Sequence, residues 1–194
     1  MTEIRNKSVV IYCASSDNID KSYIDMAYEL GALLAKEGIA TITGAGKQGL
    51  MGAINNSVLE NGGKAIGIIP EFMKEAGWCH ESLSETIVTK TMHERKEKMA
   101  QLASAAIALP GGFGTLEELA EITTWKQLGL YRKPVILFNM NNYYNHLISF
   151  IDNMIKDGFL KKEYKRLLQI SSTAEGVIDV LRSGEDWNPD FLKY

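Results

Sequence analysis

Six short runs of apolar and small residues, each followed by a helical pattern or a turn, restrict this chain to an open parallel sheet. They span Ser8–Tyr12, Ile39–Thr43, Lys64–Ile69, Glu85–Val88, Ala105–Leu109 and Pro134–Asn139. Several are apolar on consecutive rather than alternate positions, which is what a strand needs when both faces of its sheet are covered. Helical patterns fall at Lys21–Glu37, Leu50–Asn61, Met92–Ala103, Thr115–Leu128, Tyr143–Asp157 and Thr173–Arg182. In the first of them Ile24, Ala27, Tyr28, Gly31, Leu34 and Ala35 share a face. Gly38 stops that helix, and Thr173 is placed to cap the last one. Strand–helix alternation with right-handed crossovers predicts an α/β fold, a doubly wound and mainly parallel sheet with helices on both faces. The 194 residues fit one domain spanning 1–194. The longer connection Glu71–Ser84 reads as a lid. Trp187, Phe191 and Tyr194 in the tail read as docking on the body or on a partner subunit.

Such sheets bind ligands outside the carboxyl ends of their strands. There the sequence places Ser15-Ser16, Gly44 and Gly111-Gly112. The strongest of these signals is Pro110-Gly111-Gly112-Phe113-Gly114-Thr115-Leu116-Glu117-Glu118. A glycine turn that feeds a helix N-terminus presents backbone N–H groups and the positive end of the helix dipole to an anion. Two carboxylates in the same turn point to chemistry on a phosphorylated small molecule. Glu117 and Glu118 could instead merely complement the dipole. A carboxylate at a helix N-terminus is expected to stay charged, which suits stabilising a cationic transition state or orienting water.

Gly44-Ala45-Gly46-Lys47-Gln48-Gly49 fits G-x-G-x-x-G, but follows the second strand rather than the first. Ligand contact and helix–sheet packing both remain open for it, and a nicotinamide-dependent oxidoreductase is one competing class. A Walker loop is excluded, because Thr41 stands where a glycine is required and Gln48 where a Ser or Thr should hold magnesium. The segment Met92-His93-Glu94-Arg95-Lys96-Glu97-Lys98 reads either as a solvated face with a Glu94–Lys98 pair, or as a source of Arg95 and Lys96 for an anion pocket. His80, His93 and His146 lack metal-ligand spacing, so no metal is expected. Phe113 occupies the place where a nucleophile elbow would carry serine.

A net charge of −3 argues against a nucleic-acid surface. No apolar run approaches the ~20 residues of a membrane helix. Two unpatterned cysteines, Cys13 and Cys79, suit a reducing compartment, so the expectation is a cytoplasmic protein without a membrane or nucleic-acid partner.

Three segments combine into a specific resemblance. They are Gly49-Leu50-Met51-Gly52 with Gly62-Gly63 and Ile69-Pro70; Met92-His93-Glu94-Arg95-Lys96; and Pro110–Glu118 continuing through Glu121-Ile122-Thr123-Thr124-Trp125. From about Val9 to Asn139 the chain resembles the Lonely Guy family, the cytokinin riboside 5′-monophosphate phosphoribohydrolases. The resemblance implies a Rossmann-like homodimer. It implies hydrolysis of the N-glycosidic bond between an N6-substituted adenine and ribose 5-phosphate, with no cofactor. It also implies that Arg95 and Glu118 are catalytic and that Lys96, Gly112, Phe113, Gly114, Thr115, Leu116, Glu117 and Thr123 contact the nucleotide monophosphate. Ala14, Ala45 and Lys47 depart from the family's usual pattern. Two related readings stand beside it: a general AMP or purine nucleotide nucleosidase, and a nucleotide-binding module without turnover. Members often carry a lysine decarboxylase label, but no lysine here has a pyridoxal-phosphate context.

Overall fold

In a computed structural model, residues 8–183 and Trp187 are described. The chain runs β1 (Ser8–Tyr12), α1 (Lys21–Lys36), β2 (Ala40–Thr43), α2 (Gly49–Glu60), β3 (Ala65–Pro70), α3 (Glu71–Glu75), β4 (Glu85–Thr89) and α4 (Met92–Leu102). It continues β5 (Ala105–Ala108), α5 (Phe113–Gln127), β6 (Val135–Phe138), α6 (Asn145–Lys156), β7 (Gln169–Ser171) and α7 (Ala174–Ser183). The strands form one sheet in the order β4-β3-β2-β1-β5-β6-β7, with every pairing parallel. Consecutive strands step outward from β1 in one direction up to β4, then restart on its other side with β5. That reversal between β1 and β5 opens a crevice at their carboxyl ends, the expected place for a ligand.

The strands separate two apolar layers. Val9, Ile11, Ile107, Ile136 and Phe138 face α1, α2 and α7, where they meet Ala27, Leu30, Leu34, Leu50, Ile54, Val177 and Leu181. Val10, Tyr12, Ala106, Ala108, Val135 and Leu137 face the opposite side, packing with Met99, Ala100, Leu119 and Ile122 of α4 and α5. Alternate positions are thus buried on both faces, as the unbroken apolar runs require. The expected doubly wound architecture is observed.

The helix boundaries follow local chemistry. Asp20 caps α1 by accepting from the Ser22 N–H at 2.9 Å. The Gly176 N–H donates to the Thr173 hydroxyl at 3.1 Å, capping α7. Three elements differ from the expectation. β7 is an additional three-residue edge strand, and α3 is a single short turn of helix inside the Glu71–Ser84 connection. That connection is stitched to the β2–α2 loop rather than free as a lid. The His80 N–H donates to the Ala45 carbonyl at 2.8 Å, Cys79 bridges Gly46, and the His80 ring meets Asn56 Oδ1 at 2.9 Å. In the tail, the Trp187 N–H donates to the Arg132 carbonyl at 2.7 Å, while Phe191 and Tyr194 lie outside the described residues.

Candidate active site

The crevice between β1 and β5 is closed from one side by the N-terminal turn of α4. Thr91 caps that helix, its hydroxyl accepting from the Glu94 N–H at 3.1 Å, while the Glu94 carboxylate reaches back to the Lys90 N–H at 2.8 Å. This reciprocal cap fixes the rotation of the first turn. It occupies Glu94 and turns the next two residues inward. Arg95 is only 6% exposed and Lys96 7%. The solvated-face reading of this segment therefore fails at both cations, because capping and tertiary packing outweigh a charged local sequence.

Arg95 extends under the β2 end. A methyl group at Gly44 would collide with its guanidinium, so the missing side chain is what admits the arginine. The guanidinium is sparsely satisfied for a buried cation. Its Nη1 donates to the thioether of Met92 at 3.6 Å, its Nε has no partner, and its Nη2 lies 3.9 Å from Glu118 Oε1. Buried polar groups are normally paired, so donors left open here are free to engage a ligand. Glu118 stands on α5, with its side chain 12% exposed. Burial pushes its carboxyl up to about 7, against the opposing pull of Arg95, with Glu117 adding to the rise. The expectation of a carboxylate kept charged by the helix N-terminus is thereby corrected: α5 starts at Phe113, so Glu118 lies beyond the first turn where the dipole acts, and loss of water outweighs the pull of Arg95 and Lys96. Such a group can give or accept a proton near neutral pH. Beneath it lie Tyr12, which ends β1, and Cys13, which follows it; both pKa values are raised, chiefly by burial and then by Glu118.

The glycine turn that opens α5 is held from outside the crevice. Tyr143 donates to the Gly111 carbonyl at 2.8 Å, and Tyr144 to the Leu109 carbonyl at 2.6 Å. Gly112 caps α5 without any side-chain bond, and a Cβ at Gly112 or Gly114 would meet open space. The first-turn amides are thus uncovered by side chains, beside the buried Thr115. Glu117 and Lys96 form a short ion pair, and Lys96 also reaches Glu121 at 3.1 Å.

Not every candidate gathers here. Phe113 projects outward and is 92% exposed. Leu116 and Thr123 lie on the far side of α5. There they line an apolar groove of about 400 Å³ with Leu147 and Ile148 of α6, and the Thr123 hydroxyl is spent on the Leu119 carbonyl at 2.6 Å. Within one chain, Thr123 therefore does not face Arg95 and Glu118. Sequence reasoning placed Gly44 at the ligand-binding strand ends but not its role in admitting Arg95, and it missed Tyr143, Tyr144 and Glu121 as parts of the site. Only Glu121 carried a readable signal, being four residues from Glu117 and so on the same helix face. Among the described residues, no group of three or more His, Cys, Asp or Glu is arranged to hold a metal, and no helix is long and apolar enough to cross a membrane.

Comparison with known proteins supplies the family. The family model described as "Possible lysine decarboxylase" matches residues 51–181. The cytokinin riboside 5′-monophosphate phosphoribohydrolase LOG7 of Arabidopsis thaliana is 38% identical over 190 residues, covering 98% of this chain and 86% of that protein. The rice (Oryza sativa subsp. japonica) phosphoribohydrolase LOG is 39% identical over 187 residues, covering 96% and 76%. Among solved structures, the molybdenum cofactor carrier protein of Chlamydomonas reinhardtii superposes with a TM-score of 0.71 at 21% identity, covering 92% of this chain and 98% of that one. A cofactor-binding protein of Rippkaea orientalis does so at 0.68 and 24%. Likeness at that level speaks for the fold alone. The full-length identity to the plant enzymes, the family-model match and the specific pairing of the two motifs together show that the chain belongs to the Lonely Guy family of cytokinin riboside 5′-monophosphate phosphoribohydrolases.

Proposed function

We propose that this protein hydrolyses the N-glycosidic bond of an N6-substituted adenosine 5′-monophosphate, releasing the free base and ribose 5-phosphate. The observation that carries the reading is the meeting of Arg95 and Glu118 at 3.9 Å, buried and unspent, beside an uncapped helix N-terminus. The amides of Gly112, Gly114 and Thr115, with the Thr115 hydroxyl, would hold the 5′-phosphate, anchoring the sugar through a group remote from the reacting carbon. As the C1′–N9 bond lengthens, the ribose gains oxocarbenium character. Glu118 would then stabilise that charge and align the attacking water, as carboxylates do in O-glycoside cleavage. Its pKa of about 7 also lets it carry the proton that must leave the water or reach the base. Arg95, always protonated, would orient Glu118 or clamp a substrate oxygen.

The working protein is proposed to be a cytoplasmic, single-domain homodimer that needs no cofactor. Support for the dimer comes from the apolar groove between α5 and α6. A second copy closing that groove is the arrangement in which Leu116 and Thr123 could approach a nucleotide.

Base release measured by chromatography tests the reading. Glu118→Ala and Arg95→Ala should each lower turnover of prenylated AMP by about a thousandfold or more with the fold intact. Unphosphorylated nucleoside should be a poor substrate. Wild-type turnover in either variant rejects the assignment, and equal rates on AMP and prenylated AMP make the enzyme a general nucleosidase. Binding of the nucleotide without product makes it a carrier.

A further inference from the structure

Two ionic contacts cross from α4 to α5, and they are built differently. Adjacent residues of α4, Arg95 and Lys96, face adjacent residues of α5, Glu118 and Glu117, with Glu121 one turn beyond. The outer contact is closed. Lys96 Nζ donates to both Glu117 and Glu121, and its side chain is 8% exposed. The inner contact is open: Arg95 and Glu118 stand 3.9 Å apart and Arg95 Nε has no partner. An ammonium has three donors. With two of them committed to carboxylates, Lys96 is poorly disposed to receive a phosphate, which would have to displace an acid from a buried cation.

We propose that Lys96, gripped by Glu117 and Glu121, is a positioning residue that pins α4 to α5, holding Arg95 and Glu118 face to face without letting them close. The inference rests on the reading of Arg95 and Glu118 as the reacting pair, and it moves Lys96 from substrate contact to support. A clamp of this kind also sets the field at Glu118. The charged and titratable groups around that carboxyl are Arg95 and Lys96 from α4, Glu117 and Glu121 from its own helix, Tyr12 at the end of β1 with Cys13 after it, and Tyr131, which faces Tyr12. The two cations favour the carboxylate, while burial and the two acids oppose it. Lys96 therefore offsets acids that would otherwise raise the proton affinity of Glu118. Those acids in turn hold the lysine charged despite its burial.

Titration of Glu118 by NMR with carboxyl-labelled glutamate tests the clamp without turnover, and the pH dependence of kcat and kcat/KM tests it in the reaction. In Lys96→Met the Glu118 midpoint should rise by about one pH unit. Turnover at neutral pH should fall by about tenfold, with KM for the nucleotide changed less than about threefold. Lys96→Arg should restore both, since a guanidinium can fork onto the two carboxylates. Glu121→Gln should move the midpoint downward, and it serves as the test if Lys96→Met does not fold. An unmoved midpoint with a KM raised by more than about tenfold would place Lys96 on the substrate and overturn the proposal. A midpoint moved in Lys96→Met, together with a wild-type protein that releases no base, would uphold the clamp and sink the hydrolase reading.

Discussion

The β2–α2 and β5–α5 turns are near twins in sequence and opposites in use. Each leaves the end of a parallel strand, passes through glycines and opens a helix. At α2 the protein fills the helix end with its own groups: the Asp17 carboxylate accepts from the Gly49 N–H at 2.7 Å, and the Ala14 carbonyl accepts from the Met51 N–H at 3.2 Å. Gly49 adopts a φ of +59° against the backbone of Ser15 and Ser16, so the glycine pattern there serves packing. At α5 no side chain caps the helix, Gly112 and Gly114 face open space, and a buried acid sits one turn further along with its pKa displaced. One turn stabilises the fold. The other is left unsatisfied, which is how a binding site differs from a packing site of the same sequence type.

The sharpest way to break this comparison is to place alanine on both sides. Gly49→Ala forces a left-handed conformation on an L-residue and drives its Cβ into the carbonyl of Ser16. It should lower stability by about 3–4 kcal/mol. Gly114→Ala meets nothing and sits inside a helix, so it should be neutral or stabilising by up to about 1 kcal/mol. Urea denaturation of the two variants decides the matter; equal losses would erase the distinction between the turns.

The cost of the open turn should also be visible in its pH dependence. Glu118 titrates at about 7 in the folded chain, above the ordinary 4.5. Between those values the folded state holds a proton that the unfolded state releases, so this group's contribution to stability is full below about pH 4.5 and is lost as pH rises through about 7. Glu118→Gln carries no such proton. It should match the wild type near pH 4 and exceed its stability by about 3 kcal/mol near pH 8. A constant difference across that range would mean that the carboxyl is not held neutral by burial.

The contrast between the turns also marks what was legible in the sequence. Unbroken apolar runs gave the inner strands, because burial on both faces leaves a signal that local context does not blur; β4, an edge strand exposed over most of its length, was placed without it. β7 is three residues long at a sheet edge, with Gln169 and Ser171 flanking a half-exposed Ile170, and carries no such signal. The Pro110–Glu118 turn was legible as an anion site from its chain chemistry. The burial of Arg95 and Lys96 was not, since α4 has no apolar stripe at its start and the inward turn is fixed by acids on another helix. Thr91-x-x-Glu94 was the readable clue, a reciprocal cap that removes Glu94 from pairing with Lys98. Which glycine motif would be filled by Asp17 depended on where the β1–α1 loop lands, a tertiary fact with no local trace.

The finest test exchanges the two helix ends. Gly112 has an extended backbone (φ −85°, ψ −156°) with no atom near its missing Cβ, so an aspartate fits there and can accept from the α5 first-turn amides. Gly112→Asp should gain up to about 1 kcal/mol in stability from the new cap. It should also raise KM for the 5′-monophosphate by about tenfold, because a carboxylate then occupies the place of the phosphate and repels it. Turnover of the unphosphorylated nucleoside, which makes no demand on those amides, should not change. In the reverse direction, Asp17→Ala removes the carboxylate that accepts from the first amide of α2 and should cost about 1 kcal/mol, with KM unaltered. If Gly112→Asp stabilises the protein yet leaves KM for the monophosphate where it was, the α5 amides are not the phosphate anchor, and the grip on the substrate has to come from the side-chain cations instead.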